Sequence, residues 1–145
     1  MAGFFFSRDR LLRFSRFRIA CFAIAVLAYL GTEFGRFVYR PYIYRNGIDD
    51  FGLADMMGNL GGAVVQIFLY LGLANATRIQ GLRIVVGITV GYTVYEFLQP
   101  VLPRGTFDWL DVRGTIVAGM ASAILLVILH RLLPERTDQA GNPAP

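Results

Sequence analysis

The sequence predicts an all-α, polytopic membrane protein, with four transmembrane helices arranged as two similar helical hairpins. Three observations carry this expectation. Apolar residues make up 55% of the 145-residue chain and charged residues only 17%, against roughly 25% charged in soluble domains. The charges that remain are interrupted by long uncharged runs. No run alternates with the period of two that a membrane barrel requires, and backbone inside hydrocarbon otherwise satisfies itself only as helix. The length suits one domain. The apolar content excludes a disordered chain, and a single cysteine, Cys21, excludes a disulfide scaffold.

The elements follow from the runs. A spanning helix needs about 20 mostly apolar residues, and about 17 can suffice. The first span is expected over residues 17–37, where Arg18 is followed by IACFAIAVLAYLGT, uncharged until Glu33. Its AYLGTEF exit is a poor small-x-small cleavage site, so it is expected to remain as a span and not to leave as a signal peptide. The second span, 55–76, rests on 22 uncharged residues from Met56 to Thr77. The third, 83–100, has 12 uncharged residues from Ile84 to Tyr95, then Glu96. The fourth, 113–133, has 17 from Gly114 to His130. The first and third reach spanning length only if Glu33 and Glu96 fall in the last turns of their helices. Residues 17–133 thus form the transmembrane domain. Residues 1–16 are a basic, aromatic segment suited to the lipid interface or to setting orientation. Residues 134–145 are polar, rich in Gly and Pro, and expected to be a disordered tail.

All 14 basic residues are Arg. They punctuate the apolar runs and do not gather on one soluble face, so nucleic acid is not the expected partner. Arg placement orients the spans. The side bearing both termini and the TRIQGLR loop holds nine Arg against three acids, or +6. The other side holds five Arg against seven acids, or −2. Both termini are therefore expected in the cytoplasm, with seven of the ten acids outside.

Displaced by 56 residues, FGLADMMGN meets FDWLDVRGT, pairing Asp55 with Asp111 and Gly58 with Gly114. Upstream, Glu33-Phe34 echoes Glu96-Phe97. Each copy reads as a helix ending in Glu-Phe, an outer loop, and an Asp opening the next helix. Fifteen residues separate Arg18 from Glu33, about 22 Å of helix, while hydrocarbon is about 30 Å thick. Each Glu is therefore expected near or somewhat below the outer boundary, where ionisable groups face a bundle interior or a wet cavity. Asp55 and Asp111 are expected to cap their helices. Small residues recur at Gly31/Gly35, Gly58/Gly62, Gly87/Gly91 and Gly114/Ala118, a spacing that lets helices approach closely within or between chains.

The densest polar stretch runs from Glu96 to Thr115. Glu96 and Gln99 share a helix face. Pro100 and Pro103 end that helix, and Arg104 can reach a carboxylate or an anionic ligand with its planar fork. The stretch is either a salt-bridge network stapling the loop or a ligand site. Its pattern resembles the VanZ-like family of bacterial membrane proteins: Glu-x-x-Gln, a Pro and an Arg, then Asp-x-x-x-Asn-x-x-x-Gly. Glu96, Gln99, Pro103, Arg104, Asp111 and Gly119 match, with Thr115 in place of Asn, over about residues 84–125. Where the family opens a helix with Asp-Lys-x-x-His, this chain has Asp55-Met-Met-Gly-Asn59, which keeps the Asp and lacks the Lys and His. The resemblance implies an inner-membrane protein of the cell envelope, and the name-giving member is associated with teicoplanin resistance.

Catalysis has no comparable signal: no Ser-His or Cys-His pair and no phosphate loop. No metal or other cofactor is expected. The leading expectation is a non-enzymatic envelope protein. Its external pocket, drawn from Glu33, Asp55, Glu96, Gln99, Arg104 and Asp111, would bind an anionic lipid head group, a cell-wall precursor or a glycopeptide-like molecule. The alternatives are a small proton- or cation-coupled transporter or channel, and an accessory subunit that meets a membrane partner, or its own copy, through Gly-rich helix faces.

The orientation is testable with single cysteines in a Cys21→Ala background. An impermeant thiol reagent applied to intact cells should label positions 46 and 106 and spare positions 80 and 138. Labelling of position 138 from outside would overturn it.

Overall fold

A computed structural model describes residues 15–103 and 105–133. Residues 1–14, Arg104 and the expected tail 134–145 lie outside the described residues. All regular structure among the described residues is helical. Helix α1, Arg16–Phe34, passes through a π-helical turn, Gly35–Tyr39, into α2, Arg40–Asn46. Helix α3 spans Leu53–Ala74, α4 spans Arg78–Leu98 and ends in a 3-10 turn, Gln99–Val101, and α5 spans Trp109–Leu132. The four rods 16–46, 53–74, 78–101 and 109–132 are each long and apolar enough to cross a bilayer. The architecture is that of a multi-pass membrane protein.

The first rod departs from expectation. It does not stop near residue 37 but continues to Asn46, where Gly47 ends it in the left-handed conformation at φ 59°. Its 31 residues correspond to about 46 Å at 1.5 Å each, more than the roughly 30 Å of hydrocarbon. A charge marks the edge of a bilayer, not the end of a helix, so Arg36, Arg40 and Arg45 ride on the same rod. The π turn, where the Arg40 N–H reaches the Gly35 carbonyl, sits just before Pro41. A regular turn there would drive the proline ring into the carbonyl four residues back.

The third rod begins at Arg78, five residues earlier than expected. Thr77 and Gln80 form a reciprocal capping box, a signal that Thr-x-x-Gln carries in sequence. Arg78 and Arg83 are therefore helical and not in a loop. Nor are Asp55 and Asp111 the caps of α3 and α5; each is the third residue of its helix. The capping is done by their neighbours. Asp50 accepts from the N–H groups of Gly52 and Ala54 at 3.1 and 2.7 Å, and Asp108 from that of Leu110 at 2.8 Å. The carboxylates of Asp55 and Asp111 are left for tertiary work.

The α1–α3 pair forms one hairpin and α4–α5 the other, and α3 packs on α5 to join them. At the terminal end, Ser15 bonds Asn75 at 2.6 Å and the Phe17 ring stacks on His130 at 4.4 Å. That half of the bundle is a closed apolar core of Phe17, Cys21, Ile67, Phe68, Leu71 and Leu126. Large apolar side chains also face outward, including Leu27, Leu30, Val90 and Ile124, as a bilayer solvent allows. At the far end, Phe97, Phe107 and Trp109 stack with centroids 5.0 to 6.0 Å apart, and Phe97 and Trp109 are exposed at the level of an interfacial belt.

Close helix approach uses only some of the small-residue pairs. Gly114 and Ala118 are both buried, and a Cβ on Gly114 would lie 2.8 Å from the Met56 carbonyl oxygen. Gly35 is covered by Met57, but Gly31, Gly58, Gly87 and Gly91 have open space beside them. The tight contacts lie instead at Gly61 against Thr32, Gly72 against Phe22, Gly81 against Leu126 and Gly119 against Thr89. Spacing places two glycines on one face; it does not say what covers that face.

Gly114→Leu should therefore destabilise the bundle by about 1–3 kcal/mol through overpacking, while Gly58→Leu should leave detergent melting unchanged. Equal melting shifts for the two variants would contradict this packing.

Candidate functional site

The acidic side chains among the described residues all lie in the far half of the bundle, where those of the spans form two polar groups. The first lies between the first rod and α3. Glu33, Arg36, Arg40 and Tyr44 follow at spacings of three, four and four, which puts them on one helix face. They meet the start of α3, where Arg40 donates to Asp55 Oδ1 at 2.9 Å and the Tyr44 hydroxyl donates to the same oxygen. The Arg40 guanidinium also lies over the Tyr44 ring, 5.3 Å from its centroid. Beside this pair a pocket of about 380 Å³ is lined by Thr32, Glu33, Arg36, Arg40, Ala54, Asp55, Met57 and Gly58. About 20 residues of helix match the hydrocarbon thickness, and the pocket lies about that far from the start of the rod.

The second group lies between α3, α4 and α5. Glu96 is 1% exposed. Asn59 donates its amide to Oε1 at 2.8 Å, and Gln99, one turn further along α4, donates to Oε2. A buried carboxylate without hydrogen bonds is costly, and these two amides supply one donor to each oxygen. Asp111 on α5 lies within electrostatic range of both groups, repelled by Glu96 and Asp55 and attracted by Arg40. One turn further along α5, Thr115 is fully buried and its hydroxyl has no partner among the described residues. Thr32, Thr89 and Thr93 differ, each donating to the carbonyl four residues back.

The sequence-predicted residues thus divide. Glu96 and Gln99 are in direct contact, and Asp111 lies within electrostatic range of Glu96 but makes no hydrogen bond or ion pair with it among the described residues. Glu33 and Asp55 line the pocket on the other side of α3. Arg104 lies outside the described residues. Four participants were not among the candidates. Arg36, Arg40 and Tyr44 would have followed from continuing the helical spacing past Glu33. Asn59 is 37 residues from Glu96 in sequence, and no local pattern signals that contact. It stands where the resemblance has His. Glu33 and Glu96, matched in the sequence comparison of the two halves, differ in setting: Glu33 lies mid-rod and half-buried, Glu96 near a helix end and enclosed.

The two groups differ in energetic weight. Arg40 and Asp55 are 48% and 31% exposed, so their pair is worth at most about 1 kcal/mol. Asn59→Ala strips a donor from a buried carboxylate and should cost about 1–3 kcal/mol. The same change in a Glu96→Leu background should cost much less, because no carboxylate is left wanting. Melting of the two single variants and the double variant in detergent measures the coupling, and additive effects would show that Asn59 does not serve Glu96.

Compared with family models, curated proteins and solved structures, the chain matches none.

Proposed function

We propose that this chain is a VanZ-like, non-enzymatic protein of the bacterial inner membrane, with both termini in the cytoplasm. Its external polar pocket binds the charged head group of a lipid, a cell-wall precursor or a glycopeptide-like molecule. The observation that carries this reading is the pocket between the first rod and α3, which presents Arg36 and Arg40 at the bilayer boundary. Arginine forks suit phosphate and carboxylate groups, and a pocket at that depth is reached from the lipid and from water alike. The charge asymmetry of the loops supports the external placement. The matching residues Glu96, Gln99, Asp111 and Gly119 support the family.

The dry terminal half favours binding over transport. Ile67, Phe68, Leu71 and Leu126 are fully buried there and fill the space through which an ion would have to leave. The exposed glycines of α4, Gly87 and Gly91, leave a role in a larger membrane complex as a secondary reading.

Cells that depend on the chain for envelope-stress or glycopeptide tolerance should lose that phenotype with Arg36→Ala and Arg40→Ala combined. The variant protein should still insert and melt normally, since both side chains are exposed. Full tolerance with both substitutions in place would end the binding reading.

A further inference from the structure

The charges of the pocket specify more than an anion. Arg40 and Asp55 neutralise each other across a 2.9 Å ion pair. That leaves one acid and one base on the pocket wall, Glu33 and Arg36. Among the described residues Glu33 makes no hydrogen bond or ion pair, and the Arg36 guanidinium lies only over its neighbour's ring, 5.7 Å from the Phe37 centroid. The two are three residues apart on the rod, so their Cβ atoms are about 5–6 Å apart, yet they do not pair with each other. A purely anionic ligand would satisfy Arg36 and be repelled by Glu33. A purely cationic one would do the reverse.

We infer that the pocket takes a zwitterionic head group of the phosphoethanolamine class, its phosphate on Arg36 and its primary ammonium on Glu33. This rests on the head-group reading above. An ammonium two carbons from its phosphate can address both side chains at once, because their Cβ atoms stand about 5–6 Å apart on one helix face. It also carries N–H donors for the Glu33 carboxylate, which a trimethylammonium lacks. The phosphate receives the guanidinium fork. Exposed Phe34 and Phe37 flank this wall of the rod and offer apolar surface to acyl chains. The same chemistry comes from phosphatidylethanolamine in the bilayer or from a soluble phosphoethanolamine ester.

The test reconstitutes the full chain in phosphatidylcholine nanodiscs doped with either phosphatidylethanolamine or phosphatidylglycerol, and counts retained lipid by native mass spectrometry. Phosphatidylethanolamine should be retained at least about tenfold over the other two, a difference of about 1.4 kcal/mol. Glu33→Gln should abolish that preference, and Arg36→Gln should release the lipid altogether. Among the described residues Glu33 has no partner to lose, so its variant tests binding without a folding cost, and an unchanged melting temperature verifies this. Displacement of the lipid by O-phosphoethanolamine supports the same chemistry with a soluble source. Equal retention of phosphatidylglycerol and phosphatidylethanolamine, both lost in Arg36→Gln, would overturn the zwitterion and leave the head-group pocket standing. No preference for any phospholipid, with no binding of O-phosphoethanolamine, would remove the pocket's ligand and this inference with it.

Discussion

Hydrocarbon offers no hydrogen bonds, and that constraint orders the far half of this bundle. Glu96 sits among packed helices, so its oxygens must be met by the protein. Asn59 reaches across from α3 and Gln99 from the next turn of α4. This fixes the angular setting of three helices at once, because α3 must turn Asn59 toward α4 while Met56 lies against Gly114 of α5. One turn before Asn59, at the edge of α3 that meets the first rod, Asp55 receives Arg40 and Tyr44. The start of α3 thus organises both polar groups, and its later turns supply the apolar seam that holds the terminal end shut.

Much of this was legible in the sequence. Four uncharged runs announced four spans, and a spacing of three placed Gln99 beside Glu96. The obscured parts share a physical cause. A helix ends where its backbone finds a cap, not where charge begins, so the rod running on to Gly47 was cut short at the bilayer edge. Aspartates near a helix start are capping candidates by type. Only the backbone decides that Asp50 and Asp108 do the capping while Asp55 turns to Arg40. The Asn59 contact is long-range, and side-chain packing alone creates it. The glycines of α4 at positions 87 and 91 have the spacing of an interface and lie in the open, whereas Gly61, Gly72 and Gly81, with no glycine four residues away, carry close contacts.

The fold thereby divides across its thickness. Towards the termini, small residues on α1 at positions 21 and 25 let α3 approach, and the space between is filled. Towards the loops, the first rod rises past the bilayer boundary and carries its arginines alongside α3, where a pocket remains. On the proposed reading, an entering ligand would meet a neutralised ion pair and two opposite charges that are unpaired among the described residues, with packed apolar side chains beyond. This division suits binding at one face without passage to the other.

The division is measured directly by thiol reactivity in one molecule. Gly58 borders the pocket and has open space for a side chain, while native Cys21 is fully buried in the apolar core. Purified Gly58→Cys protein, treated while folded with a small water-soluble thiol reagent, should acquire a single adduct at position 58, with Cys21 reacting only after denaturation. Modification of Cys21 in the folded protein, or an unreactive cysteine at position 58, would contradict a wet pocket above a dry core.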